Sequence, residues 1–359
     1  MMIKNDQSAP RVLIIGAGAM GVVVGYHLAL GGAAVTFLVR PHHLDRLSRP
    51  QILYSYDDGG LKTYSDYAVI TTPEEIARGG YDYVLITLDG AALMSPAGES
   101  LIRTIGAWVQ GTDTKVLVGT VGVGIKAWVL EKSALAESQV AIAALTIMVH
   151  PVSGVSLPIH PPTDSERLAQ ADLAYIYGSN PGLILDDSAP QLAESFAKIY
   201  NANGISKCSI MGSLDLAAMV AGFFPVFAAL ELMNWPKAAD MTNDAELWAL
   251  TARTVQEVQG LPIFGEAGQK AKAKTSAESL ASMWRNWEAV TLPMDLSAFN
   301  CFHHGGKVRE QDRILLQTCL ALGAAAKHPM PGLTELLSRL DAFRGGATNS
   351  FGNETAGKP

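Results

Sequence analysis

Three glycines with the spacing G-x-G-x-x-G carry the clearest chemical signal in this chain: Gly16, Gly18 and Gly21. An aliphatic run typical of a buried strand precedes them, and an apolar helical pattern follows. In that order, the first glycine permits a tight turn, the second lets a pyrophosphate approach the backbone, and the third lets helix and strand pack closely. The first helical N–H groups, at Ala19 and Met20, are suited to bind phosphate. The pattern predicts a dinucleotide site; the alternative is a glycine-rich turn without a ligand.

The end of the second predicted strand indicates which dinucleotide is bound. Residues 33–39 are largely apolar and are followed by Arg40, where NAD-binding proteins of this type carry an acidic residue for the ribose 2′-hydroxyl. A guanidinium suits a 2′-phosphate instead, and His42 and His43 follow closely. We therefore predict NADPH as the cofactor. The alternative is that Arg40 is a solvated surface residue.

Further strand and helix patterns alternate through the first half of the chain, with buried strands expected at residues 81–88 and 115–120. This alternation predicts an α/β fold, a doubly wound parallel sheet of the Rossmann type, followed by an all-helical C-terminal domain. Ligands of such sheets bind beyond the carboxyl ends of the strands. Four further residues are therefore expected beside the cofactor: Leu88, Asp89, Val121 and Gly122.

The periodicity also divides the chain. Residues 1–207 are expected to form the NADP-binding domain, and residues 208–343, which are dominated by helical periodicity, a domain for substrate binding and dimerisation. A homodimer is expected because the helical domain is apolar. Residues 344–359 are rich in glycine, asparagine and serine and are expected to be disordered.

Composition excludes several classes of protein. With 48% hydrophobic and 17% charged residues, the chain can bury a large core, and a net charge of −7 argues against nucleic acid as a partner. Three cysteines without metal-type spacing predict reduced thiols, a cytoplasmic location and no metal site. The apolar stretch 217–232 contains glycine and proline and is interpreted as a buried helix, so no membrane partner is expected.

These features together resemble the ketopantoate reductase (2-dehydropantoate 2-reductase) family over nearly the whole chain. The glycine turn with Arg40 is the specific part of the resemblance. Residues 224–230 are similar to the family's Asn-Pro-Leu-Thr-Ala-Leu helix, and residues 295–300 to its Thr-Glu-Ile-Asp segment. The resemblance implies a nicotinamide-dependent reductase whose substrate lies between the two domains.

The chain departs from the family at positions that carry its chemistry. Asp89 stands where the family usually has a lysine, and Val121 where it has an asparagine. The family's catalytic lysine falls at Leu216, and its substrate-binding asparagines fall near Val220 and Phe224. A carbonyl that accepts hydride develops negative charge on oxygen, which a nearby cation or proton donor stabilises. Ketopantoate itself is therefore not the expected substrate, and a larger or more apolar molecule fits better.

Other polar residues could replace the missing lysine. His303 and His304 are expected in a loop before a helix, where either could donate a proton near neutral pH, and Lys307 could contact a carboxylate or the cofactor. Asn300 belongs to the same cluster, and Asp295 corresponds to the family's glutamate. The alternatives are solvated histidines and an Asp295 that simply caps the next helix.

The resulting prediction is an NADPH-dependent oxidoreductase that reduces a C=O or C=N of a small metabolite. The alternative is an NADP(H)-binding sensor, or a biosynthetic protein without ordinary reductase activity, because a cofactor-binding fold implies redox chemistry only by analogy. Substrate identity and reaction direction do not follow from the sequence.

Overall fold

A computed structural model of the chain describes residues 9–178 and 181–351. Contacts divide the chain into two units, residues 1–213 and 214–359. The predicted boundary after residue 207 therefore lies before the observed division, which follows residue 213. The reason is a last strand, Cys208–Met211, which pairs in parallel with Leu183–Asp186 and so belongs to the first unit.

Twelve strands occur among the described residues of the first unit. They are β1 Arg11–Ile15, β2 Ala34–Leu38, β3 Gln51–Ser55, β4 Gly60–Tyr64, β5 Ala68–Ile70, β6 Tyr83–Ile86, β7 Lys115–Val118, β8 Val140–Leu145, β9 Met148–Pro151, β10 Leu173–Ile176, β11 Leu183–Asp186 and β12 Cys208–Met211. Eight of them form one sheet in the order β12-β11-β8-β7-β6-β1-β2-β5. Its pairs are parallel except for β8 with β11, so the predicted parallel sheet is confirmed with one antiparallel pair.

Seven helices accompany these strands in the described part of the first unit. They are α1 Ala19–Leu30, α2 Leu44–Leu47, α3 Gly90–Leu93, α4 Pro96–Val109, α5 Ile125–Ser133, α6 Ser165–Leu168 and α7 Pro190–Asn201. Side chains of β1 alternate between two hydrophobic clusters: Val12 and Ile14 in one, Leu13 and Ile15 in the other. Because successive strand residues point to opposite faces, a strand that is apolar throughout must be covered on both faces. The predicted doubly wound α/β fold is confirmed.

A second, four-stranded sheet has the order β4-β3-β10-β9. Strands β3 and β4 form an antiparallel hairpin across residues 56–59. The sequence Asp-Asp-Gly-Gly at residues 57–60 predicts a turn here. Strand β10 is parallel to β3 and antiparallel to β9. This sheet joins segments more than 100 residues apart, which local periodicity does not reveal.

The described residues of the second unit, 214–351, form helices joined by short non-helical segments. Its helices are α8 Ser213–Leu232, α9 Ala245–Gln259, α10 Gly265–Lys274, α11 Ala277–Thr291, α12 Leu296–Phe302, α13 Arg309–Ala325 and α14 Pro331–Phe351. The backbone of α14 continues to Phe351, past residue 344, from which the sequence predicts a disordered tail. Residues 352–359 of that prediction lie outside the described residues. Buried leucines at 333, 336, 337 and 340 give α14 an apolar stripe.

Helix α8 is long and apolar enough to cross a membrane by length and composition alone. Most of its apolar window, 61%, is buried within the protein, and a core helix passes the same test. The structure thus has the predicted buried helix, in which Leu216 is 2% and Phe224 4% exposed.

Candidate cofactor and substrate sites

The glycine turn between β1 and α1 has the geometry that a dinucleotide requires. Gly16 has φ +99°, a conformation that residues with a side chain rarely adopt. A Cβ at Gly21 would lie 2.1 Å from the Gly16 carbonyl oxygen, so only glycine allows α1 to pack this closely. A Cβ at Gly18 would meet no atom within 4 Å. The turn is therefore tight on its inner side and open at Gly18, where the sequence predicts the pyrophosphate.

Helix α1 begins without a side-chain cap. Gly18 is its N-cap residue, and no side chain accepts from the N–H groups of the first turn. Those groups lack partners within a helix and carry the positive end of its dipole. Ala19 and Met20 lie in this first turn, as predicted. The residues present thus fit the phosphates of a dinucleotide.

The neighbouring strand ends bring some of the predicted residues to the turn. Thr87, directly after β6, donates from its hydroxyl to the Gly16 carbonyl oxygen at 2.8 Å. Leu88 lies against Gly16, because a Cβ there would be 3.2 Å from Leu88 Cδ2. Asp89 instead caps α3, accepting from the Ala92 N–H at 2.8 Å. Among the predicted residues after β6, Leu88 is therefore the one that contacts the turn.

Val121 and Gly122 follow β7, which lies beside β6 in the sheet. Gly122 is exposed and Val121 half-buried. The preceding Thr120 donates to the Leu88 carbonyl oxygen at 2.7 Å, which ties this strand end to the previous one. These contacts place both residues at the edge where parallel sheets bind ligands, and their contact with a cofactor stays a prediction.

A group of basic residues surrounds the end of β2. The Gly16 N–H donates to the Leu38 carbonyl oxygen at 3.1 Å, so this strand end adjoins the glycine turn. Arg40 and His43 are exposed. Burial, followed by the charges of His42, Arg46 and Arg40, lowers the pKa of His43. The Arg46 guanidinium donates through Nη2 to the Ala17 carbonyl oxygen inside the turn. No sequence motif identifies Arg46, because its contact with the turn depends on the fold of residues 41–47.

In the second unit, the predicted histidine loop is a π-helical turn, His303–Lys307, between α12 and α13. The prediction of solvated or freely titrating histidines is wrong for both residues. His303 stacks on Phe299, and His304 stacks on Phe227 with ring centroids 3.5 Å apart. Burial lowers the pKa of His303 well below its usual value and that of His304 to about 3. Both imidazoles are therefore neutral at pH 7 and unsuited to donate a proton as imidazolium.

His304 belongs to a buried polar cluster. Its Nδ1 lies 2.7 Å from Asp312 Oδ2, and burial raises the pKa of Asp312 to about 8. Close by, Glu231 is 7% exposed and accepts hydrogen bonds from both Arg309 and Arg344. A small cavity of about 10 Å³, enough for one water molecule, is lined by His304, Asp312, Glu231 and Arg344 among others. The cluster has room for a water and none for a metabolite.

Asp295 caps α12 by accepting from the Ala298 N–H at 3.0 Å, as the structural alternative predicts. Its other carboxylate oxygen lies 2.5 Å from Lys237 Nζ. Asp295 is 3% exposed, whereas the Lys237 side chain is 49% exposed. The structure thus presents an exposed ammonium at the residue that corresponds to the family's glutamate. Lys237 was missed because it lies 58 positions from Asp295 along the chain.

The remaining predicted residues lie along the same segment. Asn300 is 2% exposed, and its Nδ2 is buried without a hydrogen-bond partner in the described part of the chain. Lys307 is exposed at the end of the π-helical turn. Leu216, where the family's catalytic lysine falls, is a buried leucine. Within residues 9–178 and 181–351, no group of three or more metal-ligating side chains is found.

Comparison with known proteins gives the class of fold. The sequence model of the family described as ketopantoate reductase PanE/ApbA matches residues 12–97, which include the glycine turn, Arg40 and the end of β6. A search of curated protein sequences finds no match. The resemblance predicted from the sequence is confirmed for this segment.

Solved structures extend the likeness to the fold of the chain. A 2-dehydropantoate 2-reductase from Geobacter metallireducens is 19% identical, with a TM-score of 0.63 over 92% of this chain and 99% of that one. A putative ketopantoate reductase from Ralstonia solanacearum is also 19% identical, with a TM-score of 0.64 over 93% and 98%. A D-mandelate dehydrogenase solved with NADH and anilino(oxo)acetate is 13% identical, with a TM-score of 0.61 over 92% and 97%. The chain therefore has the ketopantoate reductase fold.

Proposed function

We propose that this chain is an NADPH-dependent oxidoreductase that reduces a C=O or C=N group of a small metabolite other than ketopantoate. The observation that carries the proposal is the geometry of the turn between β1 and α1. Neighbouring atoms crowd the position of a Cβ at Gly16 and at Gly21, whereas no protein atom lies near that position at Gly18. A bound nicotinamide would supply hydride. The similar folds of a 2-dehydropantoate 2-reductase and a D-mandelate dehydrogenase support redox chemistry over simple nucleotide binding.

The preference for NADPH rests on charge at the end of β2. Arg40 occupies the position at which an acidic residue would bind the ribose hydroxyls of NAD. Arg46 adds to the positive charge near it. A 2′-phosphate would gain charge-assisted hydrogen bonds there, whereas a 2′-hydroxyl would leave the arginine without an anionic partner.

The substrate is proposed to be more apolar than ketopantoate. The position of the family's lysine is the buried Leu216, and those of its asparagines are Val220 and the buried Phe224. A dihydroxy acid would lose hydrogen-bond partners against such side chains, and unmade polar contacts in a buried site are costly. The ligand of the D-mandelate dehydrogenase structure, anilino(oxo)acetate, is an aromatic oxo acid and is a suitable first model for the substrate.

Lys237 is proposed to stabilise the oxygen that becomes negative as hydride arrives. Its side chain is exposed, and its ammonium lies 2.5 Å from the carboxylate of Asp295. That carboxylate is fixed because it also caps α12. A positioned cation of this kind lowers the barrier to reduction because it acts where charge develops. The same ammonium would then donate the proton that completes the reduction and regain one from solvent, so the neutral His304 is not needed as a proton donor in this scheme.

The proposal is tested by titrating the purified protein with NADPH and NADH while following nucleotide fluorescence. NADPH is expected to bind at least tenfold more tightly than NADH. Loss of absorbance at 340 nm is then followed with ketopantoate and with aromatic and aliphatic 2-oxo acids. Oxidation of NADPH by an apolar 2-oxo acid but not by ketopantoate supports the proposal. Tight binding without oxidation by any of them favours an NADP(H)-binding sensor, and absence of binding rejects the function altogether.

A further inference from the structure

Arg46 is a cation with an unusual position in the first unit. It lies on the short helix α2, and its guanidinium reaches back to the glycine turn, where Nη2 donates to the Ala17 carbonyl oxygen. Ala17 is the residue between the first two glycines of the motif. A charged side chain thus already touches the turn that the proposed function assigns to the dinucleotide, and the inference below rests on that proposed function.

The positive charge of Arg46 is not neutralised by an ion pair among the described residues. The acidic group that acts on it electrostatically, Asp172, is held by Arg49 through two hydrogen bonds of 2.9 and 2.5 Å. The Nε atom of Arg46 is buried without a hydrogen-bond partner in the described part of the chain. A half-buried guanidinium with spare donors and a neutral carbonyl partner is suited to receive an anion.

The backbone around Arg46 is fixed independently of its guanidinium. Gln51 is fully buried and donates to the Arg46 carbonyl oxygen at 2.8 Å. The next residue, Leu47, is 4% exposed and accepts from the Tyr67 hydroxyl at 3.2 Å. The side chain therefore projects from an anchored segment, and its removal is not expected to unfold α2.

Two arginines lie near this end of β2. Arg40 follows β2, whose end is joined to the turn by the hydrogen bond from Gly16 to Leu38. Arg46 reaches the turn itself, at a backbone carbonyl oxygen, and both arginines influence His43 electrostatically. In a dinucleotide bound at this turn, the adenosine ribose lies next to the residue after the second strand. Both arginines therefore belong to the region where the ribose 2′-oxygen is expected.

We propose that Arg46 is a second specificity-determining residue, which binds the 2′-phosphate of NADPH together with Arg40. Before binding, its guanidinium is held by the Ala17 carbonyl oxygen. On binding, that neutral acceptor is exchanged for a phosphate oxygen, which forms a stronger, charge-assisted hydrogen bond. The exchange needs only a side-chain rotation, because the backbone of residues 46–51 is already anchored.

The test uses two fragments that differ only in the phosphate of interest, 2′,5′-ADP and 5′-AMP. Their affinities are measured by calorimetry for the wild-type chain and for Arg46→Gln, Arg40→Ala and Arg103→Gln. Arg46→Gln is expected to weaken the binding of 2′,5′-ADP at least tenfold and that of 5′-AMP less than twofold, and the same is expected of Arg40→Ala. Arg103→Gln is the control: it removes one exposed positive charge of the first unit, paired with Glu99 on its own helix, and is expected to change neither affinity more than twofold.

The outcomes separate this inference from the proposed function. If NADPH and 2′,5′-ADP bind the wild type tightly and Arg46→Gln does not change their affinities, the inference about Arg46 is overturned while the proposed function stands. Equal weakening of both fragments also overturns it, because a general effect on the turn would not distinguish the phosphate. If the wild type binds neither NADPH nor 2′,5′-ADP, both proposals fail. Arg46→Lys, which keeps the charge but loses the forked donor, is expected to give an intermediate loss and guards against misfolding of the glutamine variant.

Discussion

His304 and Asp312 share one proton in a largely buried environment. The two side chains are 15% and 10% exposed, and their polar atoms lie 2.7 Å apart. Burial lowers the pKa of the imidazole to about 3 and raises that of the carboxyl to about 8. Desolvation therefore favours the neutral pair, with the proton on Asp312 donated to His304 Nδ1, over an imidazolium–carboxylate ion pair.

This assignment predicts how Asp312→Asn changes stability with pH. The native carboxyl binds its proton more tightly than the unfolded one, so its contribution to stability is lost as pH rises from about 4 to about 8. Asparagine is neutral at every pH and can donate the same hydrogen bond. The free energy of unfolding of the variant relative to wild type is expected to rise by about 2–4 kcal/mol between pH 5 and pH 8.

Urea unfolding at pH 5, 6, 7 and 8 provides the measurement. Acid titration of His304 affects both proteins in the same direction, so it largely cancels in the difference. A variant that is less stable than wild type by the same amount at every pH would show that the native pair lacks this proton, with Asp312 ionised beside a neutral His304, and the assignment of a protonated Asp312 would be wrong.

A second residue-scale prediction concerns Lys237. If its ammonium stabilises the developing oxyanion, Lys237→Gln is expected to lower kcat about 100-fold, a typical effect of losing one such group. NADPH affinity is expected to stay within twofold. Lys270→Gln, which removes a surface lysine paired with Glu266, is the control. A loss of kcat in Lys307→Gln instead would identify Lys307 as the required cation, and full activity in both variants would contradict a lysine-assisted mechanism.

The sequence predicted residues whose role depends on local backbone geometry and missed those whose role depends on tertiary packing. Gly16 and Gly21 are required by a turn and a close helix approach that their spacing already implies. The neutrality of His304 and the pairing of Lys237 with Asp295 depend on segments distant in sequence. No local pattern could predict these two contacts.

At the scale of elements, two alanine substitutions in the turn between β1 and α1 are expected to have different effects: one lowers stability and the other weakens NADPH binding. Gly21→Ala places a Cβ 2.1 Å from a backbone oxygen, so α1 must move and the free energy of unfolding should fall by about 1–3 kcal/mol. Gly18 has φ −65° and ψ −178°, which alanine adopts freely, and its Cβ would meet no protein atom within 4 Å. Gly18→Ala should therefore fold normally yet bind NADPH at least tenfold more weakly.

Chemical unfolding and NADPH titration of both variants check this prediction. Each variant serves as the control for the other, since both add one methyl group to the same turn. Normal NADPH binding by Gly18→Ala would place the phosphates elsewhere and would remove the main support for the cofactor site.

Elements with a strong periodicity of apolar residues were predictable, whereas helical segments that contain glycines were not. The hairpin β3–β4 follows from Asp-Asp-Gly-Gly between two strands, and α8 follows from a long apolar run. The π-helical turn was predicted as a loop because His-His-Gly-Gly-Lys contains two glycines, yet helices on both sides continue through it. Helix α14 was cut short for the same reason, since glycines follow Arg344. Composition thus underestimated how far flanking helices extend.

At the scale of the whole molecule, each unit contains histidines that are kept neutral by burial. In the first unit, burial lowers the pKa of the fully buried His27 to about 4 and also lowers that of His150. In the second unit, His303 and His304 behave in the same way. Unfolded histidines titrate near pH 6.5, so below that pH the unfolded chain binds more protons than the native one. Both units should therefore lose stability in acid.

The contribution of His27 can be isolated with His27→Gln. Its Nδ1 lies 2.8 Å from the Tyr200 hydroxyl, a contact that a glutamine amide can in part replace. The contribution of His27 is fully present above pH 6.5 and is lost as pH falls toward 4, which amounts to about 2 kcal/mol between pH 7.5 and pH 5. The free energy of unfolding of the variant should consequently decline less over this interval than that of wild type.

Urea unfolding followed by tryptophan fluorescence measures this difference, because Trp108 and Trp128 report on the first unit and the other four tryptophans on the second. The difference should occur only in the transition of the first unit; parallel curves for variant and wild type would mean that His27 is protonated in the native protein.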